Sequence, residues 1–331
     1  MLSRVANSIY WMSRYLERLD SISRFINVNY FLMLEKAATD EPTQWGPLIF
    51  ASGDDKLFFE RYKKSDEKSV IKFLSFDEEN PNSIISCVKN ARENARTVRE
   101  IIPTEQWEVT NELYYYVKDE AKKKKHSELQ DFYKAIKAYN NQIIGLIHNS
   151  LTHDQAWHFL KLAQYLERAD KIARLLDVKY FSLLPNPTYV DSPYDAIEWG
   201  AVLKSVNAFQ MYRQKYHRIN YENVSEFLIY DRDFPRSMSF CVNEAFNSLN
   251  KIIAIIKEDE GIKSCKNSKS SSEIPAERRM KDLKYMLDSN DTKNILAIGL
   301  HEFIDDFQMK LNEVDEAIYN SFFALKEFSF T

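Results

Sequence analysis

Only six glycines and nine prolines interrupt 331 residues, so the chain has few places to turn and must be built from long elements. Residues 3–37 contain neither breaker. Across them Val5, Ile9, Met12, Leu16, Leu19, Ile26, Tyr30 and Met33 recur at three- and four-residue steps, the period of one helix face. Nothing alternates with period two for long enough to make a sheet. The composition, 44% hydrophobic and 28% charged, is that of a chain with a sizeable core. The expected architecture is therefore all-α: a multi-helix bundle forming a single domain over residues 1–331.

Boundary signals divide the rest. A helix should open near Pro81–Ser83 and run to Ile102, with Thr104 as the N-cap of the next. Ser127 with Gln130, and Thr152 with Gln155, have the spacing of capping boxes, the second starting a helix over 152–184. Ser192–Pro193 and Pro235–Arg236–Ser237 mark two further starts, and two helices should follow Pro275. The low-complexity stretch 258–274 is expected to be a mobile loop.

Several functions are disfavoured. A net charge of −4 gives no whole-chain attraction to nucleic acid. The Lys122–Lys125 run complements a helix C-terminus and should face solvent. No run of ~18 apolar residues suggests a membrane span, and Cys87, Cys241 and Cys265 suit reduced thiols in the cytoplasm. His148, His153 and His158 are spaced so that no one helix face carries them, and neither a metal nor a cofactor is expected.

The strongest internal signal is a repeat. "YLERLDSISRFINVNYF" at 15–31 returns as "YLERADKIARLLDVKYF" at 165–181, and 11 of the 20 pairs from residue 15 to 34 are identical at an offset of 150. An internal duplication of a long motif-bearing helix, near 3–37 and 152–184, is expected. At 100° per residue, Glu167, Asp170 and Arg174 share a face with Leu160 and Ala163, while Arg168 points elsewhere, beside Lys161. The expected buried pair is thus Glu167 with Arg174, repeated as Glu17 with Arg24, and Arg168 should be solvated. Arg92, Arg96 and Arg99 form a row that could lock these carboxylates or receive an anion, and Arg236 and Ser237 could meet an anion at a helix start. Three roles follow: a register-fixing ion network, a pocket for an anionic small molecule or peptide, or catalysis by a tuned glutamate. The last is disfavoured, because a glutamate among arginines stays ionised.

Four ordered segments, "MLSRVANSIYWMSRYLERLD", "ARENARTVREIIPTEQWEVTNELY", "FLKLAQYLERADKIARLLDVKYF" and "VSEFLIYDRDFPRSMSFC", resemble the bacterial alpha-E family, a helical domain named for its Glu-Arg motif. Leu19, Asp20 and Ser23 depart mildly from its pattern. The resemblance implies operon partnership with circularly permuted ATP-grasp and transglutaminase-like proteins. Its expected role is a non-catalytic accessory or binding protein in peptide or amide-bond formation, holding an anionic peptide or partner. The alternative is an enzyme of that pathway that forms or cleaves an amide bond.

Overall fold

The computed structural model describes residues 1–38, 45–123, 129–183, 193–259, 273–292, 294–295 and 299–324, and all of its regular elements are helical. The breaker-free stretch becomes α1 (Ser3–Ala38). Three short helices follow: α2 (Gly46–Ser52), α3 (Asp55–Arg61) and α4 (Glu67–Ile71), the last running into a π-helical turn at Lys72–Phe76. Then come α5 (Ile84–Thr97), α6 (Thr104–Ala121) and α7 (Leu129–Ser150). The second motif lies on α8 (Gln155–Leu183), followed by α9 (Pro193–Ser205), α10 (Phe209–Lys215), α11 (Tyr221–Tyr230) and α12 (Met238–Asp259). Helices α13 (Pro275–Asp288) and α14 (Leu300–Ile318), with a π-helical turn at Tyr319–Phe323, finish the described chain.

Helices α1 and α8 lie side by side at the centre. α5 covers α1, and α12 covers α8; α6 then lies on α5, and α13 on α12. α7 bridges α1 and α6 as α14 bridges α8 and α13. The small helices cross over: α2 packs on α8, and α9 on α1. The crowding leaves no solvent-facing residue on α8 between Lys161 and Ala173. Leu162, Leu166 and Leu176 of α8 and Ile9, Met12 and Leu19 of α1 are fully enclosed, each worth about 1.5–3 kcal/mol of apolar burial.

The likeness of the two halves extends far beyond the Glu-Arg helices, at an offset of 154. Phe58 stacks on Tyr62 at 5.1 Å with Phe73 edge-on, and Tyr212 stacks on Tyr216 at 5.0 Å with Phe227 edge-on. Gly53 ends α2 in the left-handed region, and Asn207 follows α9 there. Asp66 caps the Ser69 N–H as Asn220 caps that of Asn223. Ser83 Oγ donates to the Asp77 carbonyl, Ser237 Oγ to the Asp231 carbonyl, and each begins a covering helix. An alignment at 150 misses these pairs because the offset lengthens to 154: Tyr62 and Tyr216, Phe73 and Phe227, Asp77 and Asp231, and Ser83 and Ser237 are identical, and in the other pairs stacking or capping recurs without the residue type.

Some expected boundaries move. α8 is capped by Asp154, whose Oδ1 accepts from the N–H groups of Ala156 at 2.9 Å and Trp157 at 3.3 Å, so Thr152 and Gln155 form no capping box. Asp154→Ala is therefore expected to lower the unfolding free energy by about 1 kcal/mol in urea titration. An unmoved midpoint, with a loss in Thr152→Ala instead, would restore the capping box. Thr104 is the first helical residue rather than the cap. α5 ends at Thr97, because Val98 leaves helical geometry, so Arg99 lies beyond it. Ser127 and Ser192 lie outside the described residues, as does 260–272, but Glu258 and Asp259 of the expected loop are helical.

Candidate functional site

Where α1 and α8 meet, the Glu-Arg pairs are exchanged between repeats. Glu167 receives Arg18 in a fork, Nε to Oε1 at 2.6 Å and an Nη to Oε2 at 2.9 Å. Glu17 receives Arg168 in the same fork, at 2.7 and 2.8 Å. Each repeat thus supplies the carboxylate for the other's guanidinium. Arg14 Nε adds a bond to Glu167 at 2.6 Å, and its counterpart Gln164 donates to Glu17 at 3.3 Å.

An outer ring holds the exchange in place. Arg14 and the Tyr10 hydroxyl both donate to Asp315 of α14, at 2.8 and 2.7 Å. Arg18 donates to Asn82, which donates to Asp54, while Arg168 donates to the Pro235 carbonyl. Arg236 reaches Asp20 at 3.1 Å and Glu17 at 3.5 Å, and Lys171 reaches Asp170 at 3.1 Å. Arg24 and Arg174 each bond the aspartate four residues earlier on the same helix, Asp20 and Asp170.

Bidentate arginine–carboxylate bonds are among the stronger polar contacts, and burial raises the cost of leaving any member unpaired. Burial alone would push the Glu17 carboxyl up, but Arg168 and then Arg236 hold it down to about 2. Burial likewise opposes ionisation of Glu167, and Arg18, Arg14 and Lys171 override it, keeping it well below the usual carboxylate range. Both glutamates are anions with no proton to give at neutral pH, which removes them as general acids. Cys87 and Cys241 sit beneath the two forks as free thiols, pushed up to about 12 by burial.

This geometry corrects the pairing expected from the helical projection. Arg168 is buried, at 7% exposure, and is the partner of Glu17. Glu167 bonds Arg14 and Arg18, whereas Arg174 bonds Asp170 and has a more exposed side chain, 26%. The projection assumed one apolar face, but α8 is enclosed on every side, so no angular sector was free for solvated charge. The arginine row also lies elsewhere. Arg92 bonds Asn111 and Glu93 and stands over Tyr114, Arg96 pairs with Glu93, and Arg99 stands over Trp107. They face α6 and its surface, and the glutamates are served by Arg14, Arg18, Arg168 and Arg236 instead. Ser237, fully buried, is consumed as an N-cap and is closed to a ligand. Arg14, Arg18, Gln164, Arg168 and Asp315 were missing from the expected site. For Arg18 and Arg168, the repeated adjacency of Glu and Arg was itself the signal.

The three spaced histidines surround Trp157: His153 stacks on it at 4.1 Å and His148 and His158 stand edge-on, while His148 Nε2 meets Lys161 Nζ at 3.2 Å. Asp177, His301 and Asp305 bring ligand-type atoms within 4.8 Å of one another, a grouping that joins α8 to α14. His301 Nδ1 bonds Asp177 at 2.8 Å and its Nε2 lies 3.6 Å from Asp305. The Asp177 hydrogen bond raises the imidazole pKa, which favours an ion pair between α8 and α14.

The fold and its exchanged Glu-Arg forks define an all-helical domain organised by a buried ionic motif. A family described as "a predicted alpha-helical domain with a conserved ER motif" matches residues 1–323, and the chain belongs to this Alpha-E family. Uncharacterized proteins of Mycobacterium bovis and Mycobacterium tuberculosis are 21% identical over 259 residues, which is 72% of this chain and 28% of each relative. The chain thus spans little more than a quarter of the length of those relatives. No solved structure matches it. Among the described residues, no helix is long and apolar enough to cross a membrane.

Proposed function

We propose that the protein is a non-catalytic helical accessory or binding module of an ATP-grasp-linked system that forms peptide or amide bonds. The observation that carries the non-catalytic part is the state of Glu17 and Glu167: ionised, buried and each engaged by a bidentate arginine. Such a carboxylate fastens helices well and transfers protons poorly. The exchanged forks also support descent of the two halves from one duplicated unit, the ionic motif being the seam between the copies.

The partnership rests on the family resemblance, and the greater length of the mycobacterial relatives leaves room there for further domains on one chain. An ATP-grasp or transglutaminase-like protein is the partner in this reading. An anionic peptide, or an anionic surface of the partner, is the thing held. Two free, buried thiols suit a cytoplasmic setting.

The test is reconstitution. The isolated chain should show no ATP-dependent amide formation and no amide cleavage, while its addition to the ATP-grasp partner should raise that partner's ADP release in the presence of peptide acceptor. Turnover by the chain alone would replace the accessory role with the enzymatic one.

A further inference from the structure

The two forks differ in what stands behind them. Glu167 takes a third bond from Arg14 at 2.6 Å, and the far end of that guanidinium meets the Tyr10 hydroxyl and Asp315. At the offset of 150, Gln164 stands where Arg14 does, and Leu160 where Tyr10 does. The glutamine is shorter and the leucine has no hydroxyl. Beside Arg168 and Arg236, Glu17 therefore receives only the Gln164 amide, at 3.3 Å. Both reduced residues line a cavity of about 20 Å³, together with Glu17, Asn140, His148 and Lys161.

The cavity wall carries an unusual polar group. Asn140 of α7 is 1% exposed, and neither its amide oxygen nor its amide nitrogen has a hydrogen-bond partner among the described residues. Buried polar atoms left in that state are costly, so an occupant should meet both. It must then donate and accept at once. A halide can only accept, and an ammonium ion can only donate. The ammonium would also place a second cation beside Lys161, which already gives its protons to Gln164 Oε1 at 2.7 Å and to His148 Nε2 at 3.2 Å. A water does both, and a primary amide can close a hydrogen-bonded ring with one water through its two ends. The volume agrees, since a single water needs about 10–15 Å³ and two to four polar partners.

We propose that this cavity binds one water molecule, held by the Asn140 amide and by Glu17, which ties α7 to the seam between α1 and α8. The water takes the part in the Glu17 cluster that Arg14, Tyr10 and Asp315 take around Glu167. One fork is thus backed by side chains and the other by solvent.

A crystal structure of the full, unaltered chain, at a resolution that defines ordered solvent and with sodium bromide in the crystals, tests the site. Density for one water within hydrogen-bond distance of the Asn140 amide is expected. A cavity without density would overturn the assignment, and so would an anomalous bromide signal inside it. Oxygen-17 relaxation dispersion gives a second measurement in solution, because it counts waters that stay inside the protein. Asn140→Leu, which keeps the size of the side chain and removes both amide groups, should lower that count by one. An unchanged count in the folded variant would sink the proposal, and if the variant does not fold, the crystal structure of the unaltered chain still decides.

Discussion

Glu167→Gln is expected to lower the unfolding free energy by about 3–5 kcal/mol, measured by urea denaturation. The substitution keeps the shape of the side chain, removes its charge and exchanges one acceptor oxygen for an amide donor. Arg14 and Arg18 would then remain buried without their shared anion, and the glutamine amide nitrogen would turn a donor toward guanidinium donors. The cost is the desolvation of stranded cations more than the loss of a favourable bond. Arg174→Gln provides the contrast, since Arg174 touches Asp170 from a more exposed position and should cost far less. Equal losses in the two variants would show that the fork is no more important than the flanking pair.

Acid should dissolve the same fastening. The Glu17 carboxyl has an ordinary value near 4.5 and is held down to about 2 in the folded chain. A group whose folded pKa is depressed contributes its full stability above the unfolded value and loses it as pH falls through the folded one. Stability should therefore be level above about pH 5 and decline steadily toward pH 2, by about 3 kcal/mol from Glu17 alone. Glu167 and Asp170 are shifted in the same direction and should steepen the fall. Denaturation midpoints measured across that range check the slope. A flat profile from pH 6 to pH 3 would mean that the forks do not distinguish folded from unfolded carboxylates.

Helical period and breaker scarcity made the class of fold legible, because both act within one or two turns of chain. The same locality explains the misplaced pairs. A projection around one helix places Arg174 beside Glu167, but it contains nothing about α1, whose Arg14 and Arg18 arrive from 153 and 149 residues away. Arg92 was misassigned for a related reason. Its position on α5 was sound, but Asn111 and Tyr114 of α6 claimed its side chain before any glutamate could. The repeated Glu-Arg string held the correct answer in its symmetry: identical neighbours on two like helices can satisfy one another across a shared axis.

That exchange also sets an order of events during synthesis. When α1 leaves the ribosome, Glu17 and Arg18 have no counterpart, and none exists until Glu167 and Arg168 have been made. The crossing of α2 onto α8 delays the first half further, since its own small helix rests on a surface not yet translated. A nascent chain of the first half therefore lacks the fork partners of its central seam. Native closure is a late, long-range step.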